Sequence, residues 1–172
     1  VLETVGGLFG ISVNPVLTEI SGFTALNAVS GNFAISGNNI LTTISGFIAL
    51  INVDGDFEID HNTKLTEISN FTALVTVGGQ FAISNNNKLT TISDFTALET
   101  VDGKLMIFNN GDGNTPDGND VVTTITGFGS FTDTGIAGLV IVTGFSGTHK
   151  LELSVVIKIN MTNATGGGSD FT

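Results

Sequence analysis

Apolar positions recur along this chain on two alternating spacings, and the pair of spacings repeats every 24 residues. Val5, Gly7, Phe9 and Ile11 stand two apart, so along an extended strand they share one side. Leu17, Ile20, Phe23 and Leu26 then recur every three residues, which suits brief strands joined by corners and is too turn-rich for a helix of useful length. Displacing the chain against itself by one unit aligns whole columns: Val5, Val29, Val53, Val77 and Val101; Gly7, Gly31, Gly55, Gly79 and Gly103; Phe9, Phe33, Phe57, Phe81 and Leu105; Ile11, Ile35, Ile59, Ile83 and Ile107. Shorter columns follow at Leu17/41/65/89, Ile20/44/68/92, Phe23/47/71/95 and Leu26/50/74/98. A fixed period of this length marks a solenoid, in which no repeat buries its apolar face alone and stacking makes one continuous core.

The fold expected is therefore all-β: a right-handed β-solenoid (β-helix) of 24-residue coils with a C-terminal β cap. Coils stacked at about 4.8 Å place each apolar column in an interior ladder. Each buried Phe or Leu contributes about 1.5–3 kcal/mol, so the ladders dominate stability. The glycine column shares the inward parity of its strand and is expected to leave room for neighbouring Phe rings. Asn14, Asn38, Asn62, Asn86 and Asn110 follow the strand at a corner, where asparagine tolerates left-handed backbone, bonds to nearby main chain and can bond to its own copies in adjacent coils.

The pattern V-x-G-x-Φ-x-I-x-x-N-x-x-L-T-x-I-S-x-F-x-x-L, complete in Val53–Leu74, resembles the receptor L-domain repeat, a leucine-rich-like right-handed β-helix. The resemblance runs from Val1 to about Asn110 and carries no catalytic residue. It implies an extracellular or cell-surface protein that binds a surface ligand, a glycan or another protein. Growth-factor receptors of this kind are cysteine-rich, and this chain has no cysteine, which removes a receptor reading.

Regularity fails after Asn110. Residues 111–120 (GDGNTPDGND) read as a loop inserted at the fifth corner, after which Val122, Ile125 and Phe128 resume the Leu, Ile and Phe columns. A sixth strand is expected within Gly138–Thr143 and a longer one at Lys150–Met161. The division expected is a solenoid over 1–132 of five regular coils and one irregular, cap strands over 133–163, and a glycine-rich tail over 164–172. The start at Val1, with neither methionine nor a charged leader, suits a mature or excised fragment.

Charge narrows the partners. The chain of 172 residues carries a net charge of −11, with five lysines and no arginine. No basic face can be assembled for nucleic acid. No apolar run is long enough for a membrane-spanning helix. Without cysteine there is no disulfide, thiolate metal site or thiol nucleophile.

Function is expected on the outward positions. Asp54, Asp56, Glu58 and Asp60 share one parity and form an acidic stripe on the solvent side of the third coil. It reads either as a shallow groove for a divalent cation or a sugar, or as a solvated stripe that keeps the edge soluble. Neighbours at i and i+2 stand about 6.5–7 Å apart, near the lower limit for an inverting glycosidase pair. Without arginine there is no strong cation to stabilise developing negative charge, and neither His61 nor His149 has a triad setting, so no enzyme is expected. Asp112, Asn114, Asp117, Asn119 and Asp120 form an oxygen-rich loop whose order differs from an EF-hand; Ca²⁺ is the one cofactor such ligands suit. Thr18, Thr42, Thr66 and Thr90 make an outward hydroxyl column of the kind that orders water on ice-binding solenoids, with Ser21/45/69/93 three residues on, although Glu19 and Glu67 interrupt its neighbour column. Asn70, Asn160 and Asn163 begin N-glycosylation sequons. Solenoid ends and strand edges also offer a route to self-association or fibres.

Overall fold

The computed structural model describes residues 1–110 together with 124–125 and 140–142. Among these residues the protein is all-β, with every strand pair parallel and no helix. The first coil comprises β1 (Thr4–Val5), β2 (Phe9–Ser12) and β3 (Glu19–Ile20). The second repeats them as β4 (Ala28–Val29), β5 (Phe33–Ser36) and β6 (Thr43–Ile44), and the third as β7 (Asn52–Val53), β8 (Phe57–Asp60) and β9 (Glu67–Ile68). The fourth comprises β10 (Thr76–Val77), β11 (Phe81–Ser84) and β12 (Thr91–Ile92); β13 (Thr100–Val101), β14 (Leu105–Phe108), β15 (Thr124–Ile125) and β16 (Val140–Val142) follow.

Stacking these triplets makes three parallel sheets, in the orders β1-β4-β7-β10-β13, β2-β5-β8-β11-β14-β16 and β3-β6-β9-β12-β15. Each residue pairs with its counterpart one coil on, as Phe33 with Phe57 and Ile44 with Ile68. The sequence period is thus the hydrogen-bond register itself. Register survives the insertion: Ile92 pairs with Ile125, as the resumed columns predict. The sixth strand expected within Gly138–Thr143 is β16, and it continues the central sheet in parallel from β14. The long strand expected at Lys150–Met161 and the tail at 164–172 lie outside the described residues.

The apolar columns point inward and are sealed from solvent from the second coil onward. Two phenylalanine stacks run up the core. In the first, Phe9, Phe33, Phe57 and Phe81 lie nearly parallel, with centroids 5.0, 4.9 and 4.8 Å apart. In the second, Phe23, Phe47, Phe71 and Phe95 follow at 5.2, 5.1 and 5.1 Å. Rings of one stack meet the other edge-on, as Phe57 meets Phe71 at 84°, so both favoured aromatic geometries repeat at coil spacing.

Two corners turn through left-handed backbone. One column holds Val13, Gly37, His61, Asn85 and Asn109, the other Gly22, Gly46, Asn70 and Asp94, all with positive φ. The left-handed residue is therefore the one before each ladder asparagine, not the asparagine itself. Asn38, Asn62, Asn86 and Asn110 are fully buried and face into the corner. Asn62 accepts at Oδ1 from the Asn38 backbone N–H and side-chain amide at 3.0 and 3.2 Å, and donates through Nδ2 to the Ile35 carbonyl at 2.9 Å. The bonding between copies expected of this column is present; it satisfies corner backbone groups that bend away from the sheets.

The glycine column has a different cause from the one expected. A Cβ on Gly103 would meet the Gln80 N and Gly79 C atoms at 2.8 Å, and one on Gly55 would meet the Asn32 N and Gly31 C atoms at 2.9 Å. These are backbone atoms of the preceding coil, not Phe rings. The corners stack directly, Gly79 N–H donating to Gly55 O at 2.9 Å and Gly103 N–H to Gly79 O at 2.8 Å. Gly103→Ala is expected to cost about 1–3 kcal/mol by overpacking, whereas Gly7→Ala, with nothing within 4 Å of the new carbon, should leave the melting midpoint nearly unchanged. Paired thermal melts measure the contrast.

Candidate functional site

Strand parity brings the acidic stripe to the outside of the third coil, but it does not leave the carboxylates free. Asp54 and Asp56 lie in the corner between β7 and β8, while Glu58 and Asp60 belong to β8. Asp54 is exposed and the other three are half-buried. Asp54 accepts from the Asn52 side-chain amide at 3.0 Å. Asp56 accepts from the Gln80 backbone N–H at 2.8 Å, and its own N–H donates to Asn32 Oδ1 at 3.0 Å. Glu58 accepts from the Gln80 side-chain amide at 3.0 Å. Asp60 pairs with His61 Nδ1 at 2.6 Å, across side chains 28% and 62% exposed.

Each carboxylate thus has a hydrogen-bond partner, Gln80 serving both Asp56 and Glu58. Among the described residues, no group of three or more His, Asp or Glu side chains is placed to hold a metal. Two of the four carboxylates, Asp56 and Glu58, also take part in the bonding between coils. Asn32, Asp56 and Gln80 occupy one column, and the first two do the same work, their side-chain oxygens accepting the N–H of the corner above. Asp56→Asn is therefore expected to keep or slightly raise stability in metal-free buffer, as the amide oxygen still accepts and a negative charge is gone. Asp56→Ala should lose about 0.5–1.5 kcal/mol, the net worth of one such bond; denaturant titration of the two variants decides.

His61, which parity alone sets on the opposite side from Asp60, is turned back towards it by its φ of 54°. The alternation of a strand ends where β8 ends, so the rule cannot be extended past Asp60.

The threonine column is where the sequence predicts it. Thr18, Thr42, Thr66 and Thr90 are all exposed. The Thr42, Thr66 and Thr90 hydroxyls donate to the backbone carbonyls of Thr18, Thr42 and Thr66 at 3.0, 3.1 and 3.0 Å. These bonds repeat at coil spacing and fix the hydroxyl rotamers. Beside them Glu19 and Glu67 are exposed and Thr43 and Thr91 half-buried. The serine column is uneven: Ser21 is exposed, Ser45 and Ser93 half-buried and Ser69 buried. A second threonine set, Thr24, Thr72 and Thr96, is exposed around the next corner, with Ile48 in its register; it was legible as a period-24 column outside the apolar ones.

Asn70 sits at a left-handed corner, half-buried, with its N–H bonded to Asp94 Oδ2 at 3.2 Å. Phe71 beside it is fully buried, as its column requires. The loop ligands Asp112, Asn114, Asp117, Asn119 and Asp120 lie outside the described residues, as do His149, Asn160 and Asn163.

One further feature shows only in the structure. Among the described residues, the exposed large apolar side chains are Val1, Leu2, Leu8, Val13, Val16, Ile40, Ile48 and Ile51, all in the first two coils. Comparing each column from coil to coil, rather than reading only what stays constant, exposes this set.

Fold and faces define the class: a β-solenoid of about four turns, with about 24 residues per coil, in which several outward polar groups, among them Asn32, Asp56 and Thr42, bond to the neighbouring coil. No protein-family model matches the chain, and no curated protein or solved structure is significantly similar to it.

Proposed function

We propose that this chain is a non-catalytic binding, adhesion or structural module that works outside the cell or on its surface. One observation carries the reading: among the described residues the carboxylates of the acidic stripe are each hydrogen-bonded, Asp56 and Glu58 to the next coil and Asp54 and Asp60 within their own, and no three His, Asp or Glu side chains are grouped to hold a metal. The resemblance of Val53–Leu74 to the receptor L-domain repeat supports the same class, and the net charge of −11 disfavours nucleic acid and anionic membranes. A rigid rod with variable outward columns suits recognition of a glycan or protein surface.

The test is a glycan array probed with the labelled chain, with release of reducing ends assayed on the same glycans. The expected result is retention on a subset of glycans and no release. Release that Glu58→Gln abolishes would overturn the non-catalytic reading, and retention nowhere would favour a structural spacer over recognition.

A second reading, ordering of water at an ice surface, is favoured by the fixed hydroxyl ladder of Thr18, Thr42, Thr66 and Thr90. It requires thermal hysteresis that Thr66→Lys removes; absence of hysteresis in the unaltered chain discards it.

A further inference from the structure

One corner of the solenoid carries cations without counterions. Resting on the glycan-recognition reading above, we propose that this corner binds an acidic polysaccharide through Lys64 and Lys88. It lies between the central sheet and the β3-β6-β9-β12-β15 sheet, at positions 13–16, 37–40, 61–64 and 85–88 of the first four coils. Its last column changes from Val16 and Ile40 to Lys64 and Lys88. The two lysines stand one coil apart, a backbone spacing of about 4.8 Å, and both are exposed.

Pairing should be easy here, yet it does not occur. The chain holds 16 carboxylates against five lysines, but among the described residues the one ion pair joins Asp60 to His61. Asp60 and Glu67 adjoin the corner without coming within ion-pair distance of either lysine. Like charges facing each other from neighbouring coils repel. Folding therefore gains nothing from stacking them.

The rest of the corner suits the same ligand. No position of its four columns holds Asp or Glu in the first four coils. Asn39 and Asn87 are exposed, and among the described residues their side-chain amides make no hydrogen bond. The buried Asn38, Asn62 and Asn86 beside them are by contrast engaged between coils. Ammonium groups meet carboxylates or sulfates in charge-assisted bonds, and free amides both donate to and accept from hydroxyls. These groups follow the rod axis at coil spacing, and an extended pyranose chain laid along it advances by a comparable step per sugar. A neutral glycan would leave both lysines unused. The distant carboxylates of a chain at −11 are screened beyond about 8 Å at physiological salt, which leaves the local corner to decide the contact.

Titration calorimetry of the full chain at physiological salt tests this, with polygalacturonate, dextran sulfate and neutral dextran as probes. Heat of binding is expected with at least one anionic polymer and none with dextran; the two anionic arms tell carboxylate from sulfate. The double variant Lys64→Gln, Lys88→Gln is expected to weaken that binding at least about tenfold. Lys104→Gln, which removes a charge from an exposed position outside the corner, should leave it nearly unchanged. The double variant should also melt at the same temperature or higher, because a repelling pair is gone. A lower midpoint would assign the lysines to a partner within the chain and overturn the proposal. Equal weakening by Lys104→Gln would overturn it in favour of bulk charge. Binding to neither anionic polymer overturns it too, and the glycan array then separates the cases: retention on neutral glycans leaves recognition standing, while retention nowhere defeats both.

Discussion

Replacing Phe57 with alanine is expected to lower the unfolding free energy by about 3–5 kcal/mol, the range for truncating a large buried aromatic. Phe57 is fully buried at the middle of its stack, 4.9 Å from Phe33 and 4.8 Å from Phe81, with Phe71 and Phe95 edge-on at 5.2 and 5.8 Å. Collapse around the vacancy is resisted because β5, β8 and β11 are held in register on both sides. The cavity term therefore adds to the lost transfer free energy. Phe23→Ala in the half-exposed first coil should cost clearly less. Denaturant titration of both variants checks the gradient; a loss below about 1 kcal/mol for Phe57 would contradict an enclosed ladder.

Asn62→Ala is the second large effect, and its origin is polar. The substitution leaves the Asn38 N–H without its acceptor and removes a donor from the Ile35 carbonyl, in a corner closed to water. Each buried group so orphaned costs about 1–3 kcal/mol, so a loss of a few kcal/mol is expected. Asn62→Asp separates the roles, since the acceptor remains while the donors to Ile35, Asp60 and Asn86 vanish. It should also be strongly destabilising, because a charge is then buried beside carbonyls. Stability equal to the unaltered chain in either variant would show that the ladder is incidental.

The two effects bear on how far a sequence of this kind can be read. Its period translates directly into structure because parallel coils pair each residue with its own counterpart, so a column is a ladder. The inward columns, the asparagine bonding, the exposed threonines and the resumption of register at Ile125 were all legible on that ground. The acidic stripe was only half legible. Parity gives the side on which Asp56 and Glu58 lie, yet their partners Asn32 and Gln80 belong to neighbouring coils, and no rule within one coil names them.

What the sequence determined by itself, then, was the solenoid, its coil length and the membership of its core, because repetition at a fixed interval admits one way of burying so many equivalent residues. The tertiary structure alone decided the causes and the vacancies. Glycine between the first two strands of each coil answers to the backbone of the preceding coil, which an added Cβ would meet at 2.8–2.9 Å. The asparagines lie one residue beyond the left-handed turn, because the chain must reverse before their side chains can face inward. Leu8, Val13 and Val16 are exposed while Phe33 and Ile35 are fully buried, since apolar residues in a sequence look alike until stacking shows which of them are covered.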